Sequence, residues 1–207
     1  MALENLQCSE QRVSALWKID EDENFFRDQL AVPDEVPDTI HHVQKRLEYL
    51  SARYLLQSLL KEWNLPFAGI VKDDFGKPYL KSLPFQISLS HSYPYVAAVI
   101  DRNKAVGIDL EQPKLKLARI APRVLSEAEY GDAGDDTVKL CVYWCAKESL
   151  VKIHGKKDLT FASEIQISPF SLQKQGLLNG SIIASGMHIA VPLQYAVYDN
   201  FVVAVTI

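Results

Sequence analysis

Between residues 38 and 63 apolar side chains fall at Val43, Leu47, Leu50, Tyr54 and Leu55 with basic residues between them, a spacing that predicts a helix. After Leu65-Pro66 the run DDFGKPYL has turn chemistry, and the alternation at Phe85, Ile87 and Leu89 in FQISLSHS predicts a half-buried strand. YVAAVI, beyond Tyr93-Pro94, predicts a second strand, and AVGIDLE a short third one that ends in two acids. LARIAPRVLS reads as a helix with a basic start, another helix is expected from Ser126, and a longer one from about Thr137 to His154. Downstream, EIQIS, GLLNGSIIASG, HIAVPLQYAVYD and NFVVAVTI alternate or are β-rich, and Asn179-Gly180 is a hairpin signal.

The pattern hints at a repeat. EYLSARYLL at 48–56 is similar to VYWCAKESL at 142–150, with Arg53 and Lys147 equivalent, and YVAAVI at 95–100 is similar to FVVAVT at 201–206. Helix-strand-strand patterns resemble one another in any case, but the shared base favours duplication. The expectation is an α+β chain built as a pseudo-dimer of two similar α/β subdomains, 1–102 and 103–207. A pseudo-twofold axis would place an active-site cleft between them, with the metal site carried by the second.

Composition narrows the class. With 207 residues, 48% hydrophobic and 23% charged, the chain is a globular protein rather than a collagen-like, disordered or coiled-coil one. A net charge of −4 argues against a nucleic-acid binder whose affinity rests on overall basicity, so any anion site must be local. No apolar run approaches the ~20 residues that span a bilayer, and the N-terminus has acids where a signal peptide has bases, so no membrane and a cytoplasmic location are expected. Cys8, Cys141 and Cys145 are odd in number and lack a CxxC partner, which predicts reduced thiols and no disulfide framework or zinc site.

Candidate chemistry gathers in two places. In Gly107-Ile108-Asp109-Leu110-Glu111 the two acids share one face of a strand while Ile108 and Leu110 face the core. Such a pair is either solvated or useful to a divalent cation, since hard Mg²⁺ prefers oxygen donors. On the helix beyond, Trp144, Glu148 and Lys152 lie on one face. They are either an ordinary packing residue and helix ion pair or a third carboxylate with a phosphate-reaching lysine. Three further fragments favour a phosphorylated ligand: Lys77 beside Gly76 and Pro78 in a stiff turn, the Ser88-Leu89-Ser90-His91-Ser92 strand end, and Arg46 with Arg53 on one helix direction. Each alone is weak, a lone histidine such as His91 being more often structural. His41 and His42, adjacent and splayed on the predicted helix, are expected to be surface residues.

FGKPYL, SLSHS, GIDLE and WCAKESLVK occur in that order, with RVLSEAEY between the last two, and together resemble the 4′-phosphopantetheinyl transferase superfamily, in its surfactin-synthetase-activator type. The signature G-x-D-x-E and W-x-x-K-E-[SA]-x-x-K is matched at every defined position. The resemblance implies transfer of the phosphopantetheine arm of coenzyme A to a serine of an acyl or peptidyl carrier protein, with release of adenosine 3′,5′-bisphosphate. It further implies that Asp109, Glu111 and Glu148 bind Mg²⁺, that Lys152, Lys77 with Pro78, and Ser90 meet the pyrophosphate, and that His91, Arg46 and Arg53 hold the 3′-phosphate and adenosine end. Glu148, or a metal-bound water it orients, would take the serine proton, with Lys147 supporting either arrangement and Trp144 fixing the helix by packing.

A carrier docking patch is expected at Lys114, Lys116, Arg119 and Arg123 with Leu117 and Ile120, and GDAGDD is expected to be a solvated loop. The whole is expected to act as a monomer. A Mg²⁺-dependent coenzyme A pyrophosphate hydrolase and a catalytically silent coenzyme A-binding homologue are the rival functions.

Overall fold

The computed structural model describes residues 3–33, 36–155, 158–184 and 186–207. The chain is α+β and divides into two compact units, Met1–Ala105 and Val106–Ile207. Each unit encloses its own hydrophobic core.

The N-terminal unit contains β1 (Leu3–Cys8), β2 (Arg12–Lys18), α1 (Glu23–Gln29), α2 (Val43–Lys61), β3 (Ile70–Lys72), β4 (Pro78–Leu80), β5 (Gln86–Ser92) and β6 (Tyr95–Asp101). Its main sheet is antiparallel in the order β1-β2-β6-β5, with β3 and β4 forming a separate hairpin. The long helix α2 lays Leu50, Leu55, Leu56, Leu59 and Leu60 into this core. It begins at Val43 rather than near Asp38, so His41 and His42 precede it, with His42 at the cap in extended backbone; both are exposed. Strands β1 and β2 and helix α1 have no counterpart in the sequence expectations.

The C-terminal unit runs β7 (Ile108–Glu111), α3 (Lys116–Val124), α4 (Glu127–Ala133), α5 (Thr137–His154), α6 (Phe161–Glu164), β8 (Ile165–Ile167), β9 (Gln175–Ala184), β10 (Met187–Val197) and β11 (Val202–Thr206). These strands form one antiparallel sheet, β7-β11-β10-β9-β8. Helix α5 has the ends its sequence encodes: the Asp136 carboxylate accepts from the Val138 and Lys139 amides, and Gly155 closes it with φ +78°. Asn179-Gly180 makes no hairpin turn. Both residues pair within β9 against Pro192 and Val191 of β10, and the strands reverse between Ala184 and Met187. Gly180 is there for packing, since a Cβ would stand 2.6 Å from Leu193 Cδ1 and 2.9 Å from Leu150 Cδ1.

The same connectivity occurs in both units. Strand, long helix and two further strands give the sheet order β2-β6-β5 in one and β7-β11-β10 in the other. The similar segments 48–56 and 142–150 lie in α2 and α5, and 95–100 and 201–206 in or at the edge of β6 and β11. Among the described residues no helix is long and apolar enough to cross a membrane.

Candidate active site

Strand β7 hydrogen-bonds to β11 with Asp109 opposite Ala204 and Glu111 opposite Val202. Its approach to α5 explains the glycine before it: a Cβ on Gly107 would lie 1.9 Å from the backbone oxygen of Ser149, a contact no other residue survives. That approach places the Asp109 backbone next to the face of α5 that carries Lys152. The Lys152 Nζ donates to Asp109 Oδ1 and to the Ile108 carbonyl, each at 2.7 Å. Asp109 is itself buried. Glu148, one turn before Lys152 and half-buried, has its carboxyl pushed up to about 7, first by burial and then by the negative charge of Asp109, with Lys152 pulling the other way. Glu111 is drawn aside: its Oε2 pairs with Lys116 Nζ at 2.9 Å and its Oε1 accepts from the Gln112 amide at 2.8 Å.

Other motif residues are structural in this setting. Lys147 is fully buried, its ammonium ion-paired with Glu129 Oε2 at 2.7 Å and donating to the carbonyls of Phe161 at 2.8 Å and Ile165 at 2.6 Å. The Glu129 carboxylate in turn accepts from the Ser126 and Ile167 amides, so the pair ties α4, α5 and β8 together. This corrects the expectation that Lys147 supports the proton acceptor, because one residue along a helix from Glu148 it points about 100° away. Trp144 stacks on Phe161 with centroids 5.8 Å apart and planes 18° apart, as a packing role requires. Cys141 and Cys145 are buried free thiols and Cys8 an exposed one.

GDAGDD is no solvated loop. Gly131 to Ala133 end α4, Asp132 accepts from Tyr143 Oη at 2.5 Å and Lys139 Nζ at 2.9 Å, and Asp136 caps α5. In the docking patch Leu117 faces the core at 2% exposure, whereas Leu115, not singled out by the sequence, is 77% exposed beside exposed Lys114, Lys116, Arg119 and Arg123.

In the N-terminal unit the Arg46 guanidinium makes a forked contact with Glu23, 3.0 Å to Oε2 and 2.6 Å to Oε1. Arg53 is buried, donating to the Tyr49 carbonyl at 3.0 Å with its guanidinium carbon 3.3 Å above the Tyr49 ring centroid. Lys77 and Pro78 leave a turn organised by Asp73, whose Oδ1 accepts from the Phe75 and Lys77 amides, with Gly76 at φ +87°. Burial lowers the Lys77 ammonium's pKa, and the charge of Asp73 opposes this. Ser90 is buried within β5, and the neighbouring His91 turns the opposite way, its ring 45% exposed, with Nδ1 3.1 Å from Glu48 Oε2. Glu48 went unnoticed in the sequence. A glutamate flanked by Leu47 and Leu50 on an amphipathic helix was the available signal, since a buried acid needs partners.

The donor chemistry of Asp109, Glu111 and Glu148 suits a hard divalent cation, and the mutual repulsion of Asp109 and Glu148 is what such a cation relieves. The carboxylates are nonetheless not drawn together: Asp109 is engaged by Lys152 and Glu111 by Lys116. Among the described residues no three His, Cys, Asp or Glu side chains form a metal-holding group.

Residues 105–206 match the family described as the 4′-phosphopantetheinyl transferase superfamily. This segment is a 4′-phosphopantetheinyl transferase superfamily domain. Among similar curated proteins, a 4′-phosphopantetheinyl transferase of Bacillus subtilis is 35% identical over 104 residues, 46% of each chain. The transferase Sfp of Bacillus subtilis strain 168 is 34% identical over 89 residues, 40% of this chain and 39% of that one. A putative transferase of Haemophilus influenzae is 28% identical over 148 residues, 60% of this chain and 62% of that one. The match thus covers less than two thirds of each of these relatives. The superfamily domain contains Asp109, Glu111, Glu148 and Lys152, while Arg46, Arg53, Lys77, Pro78, Ser90 and His91 precede it.

Proposed function

We propose that the protein transfers the 4′-phosphopantetheine arm of coenzyme A to a serine of an acyl or peptidyl carrier protein, converting the apo to the holo form and releasing adenosine 3′,5′-bisphosphate. The observation that carries this is the Lys152–Asp109 ion pair beside half-buried Glu148, inside a segment that matches the transferase superfamily. The named activity of the similar proteins supports it.

Asp109, Glu111 and Glu148 would hold Mg²⁺. A divalent cation supplies positive charge for the pyrophosphate oxygens as the β-phosphorus is attacked. Lys152, whose ammonium already stands against Asp109, would pair with a pyrophosphate oxygen. Lys77, presented by the Asp73-centred turn that leads into Pro78, would meet the same group, with Ser90 beside it. Glu148, or a water it orients, would receive the serine proton. His91, Arg46 and Arg53 are assigned to the 3′-phosphate and adenosine end, and the exposed bases of α3 with Leu115 to the acidic carrier. The protein would work in the cytoplasm as a monomer.

Intact-mass measurement of an apo-carrier after incubation with the protein, coenzyme A and Mg²⁺ tests this. The expected result is a gain of one phosphopantetheine arm that is lost, by at least about a hundredfold in rate, in Asp109→Ala and Glu148→Ala. Coenzyme A binding without any mass gain on several carriers would indicate a silent homologue. Release of adenosine bisphosphate with an unmodified carrier would indicate a hydrolase.

A further inference from the structure

Glu48 is an acid buried to 2% exposure in the second turn of α2, where an uncompensated charge is costly. Three groups meet it: Lys45 Nζ at 2.7 Å and His91 Nδ1 at 3.1 Å on Oε2, and the Tyr93 amide donating to Oε1 at 3.1 Å. The last two come from the end of β5 and the turn that leads to β6, so one carboxylate anchors the hairpin tip to the helix and fixes the imidazole within it. The two nitrogens of an imidazole lie at fixed positions on a rigid ring. Once a buried carboxylate accepts the Nδ1 proton, the plane of the ring and the direction of Nε2 are set as well. The ring itself is 45% exposed, and with the imidazole protonated the trio Lys45, Glu48 and His91 carries one net positive charge at the surface. That sign and a directed N–H donor suit a phosphate monoester.

We propose that Glu48 is a positioning residue, holding His91 with Nδ1–H on its carboxylate so that Nε2 is presented to the 3′-phosphate of coenzyme A. This rests on the transferase function proposed above and on His91 meeting that phosphate. The burial of Glu48, its shared contact with Lys45 and its grip on the Tyr93 amide all serve to keep an ionised acceptor in one place.

The test compares KM and kcat for coenzyme A and for 3′-dephospho-coenzyme A in the unaltered protein, in Glu48→Gln, His91→Ala and the double variant. Glu48→Gln is expected to raise KM for coenzyme A about tenfold with kcat changed less than about twofold, as for loss of one directed charge-assisted bond. The preference for coenzyme A over its dephospho form should narrow by the same factor in both single variants and no further in the double one. If His91→Ala narrows the preference and Glu48→Gln does not, the positioning role is overturned alone. If His91→Ala keeps the full preference, the phosphate assignment of His91 falls and the proposal with it. Should Glu48→Gln fold poorly, nitrogen-15 NMR of the His91 ring in the unaltered protein decides: a proton on Nδ1 is expected, and a neutral ring protonated on Nε2 alone overturns the proposal.

Discussion

Glu48 of α2 and Lys147 of α5 are buried charges that are satisfied in different ways. Lys147 is sealed against Glu129 and backbone carbonyls, a closed structural network. Glu48 joins the interior to an exposed histidine. Burial alone would raise the Glu48 carboxyl's pKa, but hydrogen bonds and charge from His91 and Lys45 outweigh it and hold the group at about 2, below an ordinary value of 4.5. A depressed folded-state pKa gives stability that is fully present above the unfolded value and lost as pH falls from about 4.5 toward 2. The contribution is on the order of 3 kcal/mol for a group this buried. Urea unfolding of the unaltered protein and of Glu48→Gln should therefore show a stability gap near pH 6 that closes as pH approaches 2.5, and a gap independent of pH would refute this account. Neither partnership was legible in the sequence, because Glu48 meets His91 and Tyr93, and Lys147 meets Glu129, only after distant segments fold together. The sequence marks such residues only as acids or bases inside apolar helical stretches.

At the scale of elements, legibility followed the locality of the signal. Helix α5 could be read to its ends because Asp136 caps one and Gly155 the other, both adjacent to the residues they act on. Strand β2 could not, since it buries Ala15, Leu16 and Trp17 consecutively and so has side chains covered on both faces, which erases the alternation of a half-buried strand. Asn179-Gly180 misled for the opposite reason: a good local turn dipeptide is overridden by pairing with β10 along the whole of β9. In α3 the pattern misplaced one apolar member of the basic face, because Leu117 turns inward while Leu115 stands outward at the helix start. If that face docks an acidic carrier, Arg119→Glu with Arg123→Glu should raise KM for the carrier about tenfold and leave KM for coenzyme A within about twofold. Both residues are exposed, so folding is not at stake, and an unchanged KM for the carrier would remove α3 from the docking surface.

For the whole molecule the decisive fact is that each unit has its own core cluster and its own hydrogen-bonded sheet, while the proposed chemistry draws on both. The match to the superfamily covers 105–206 and so falls on the unit that holds Asp109, Glu148 and Lys152. His91, Lys77 and the Glu48 anchor stand in the other unit, whose sheet repeats the order of strands around a long helix that the C-terminal unit also shows. A duplicated origin would account for that shared order, and for Arg53 and Lys147 being buried bases at matching places in similar helical segments. The two copies would then have diverged in function, one keeping the carboxylates and the other the phosphate-directed bases. Residues 106–207 produced alone are accordingly expected to unfold cooperatively on heating, followed by far-ultraviolet circular dichroism, because α5 and its sheet bring a cluster of buried side chains of their own. The same fragment should convert no carrier in the intact-mass assay, lacking the groups assigned to Lys77 and His91. A fragment that melts without cooperativity would refute the autonomy of the unit. One that transfers the arm at an undiminished rate would show that the N-terminal residues are not part of the machinery, and the proposed division of labour would fail.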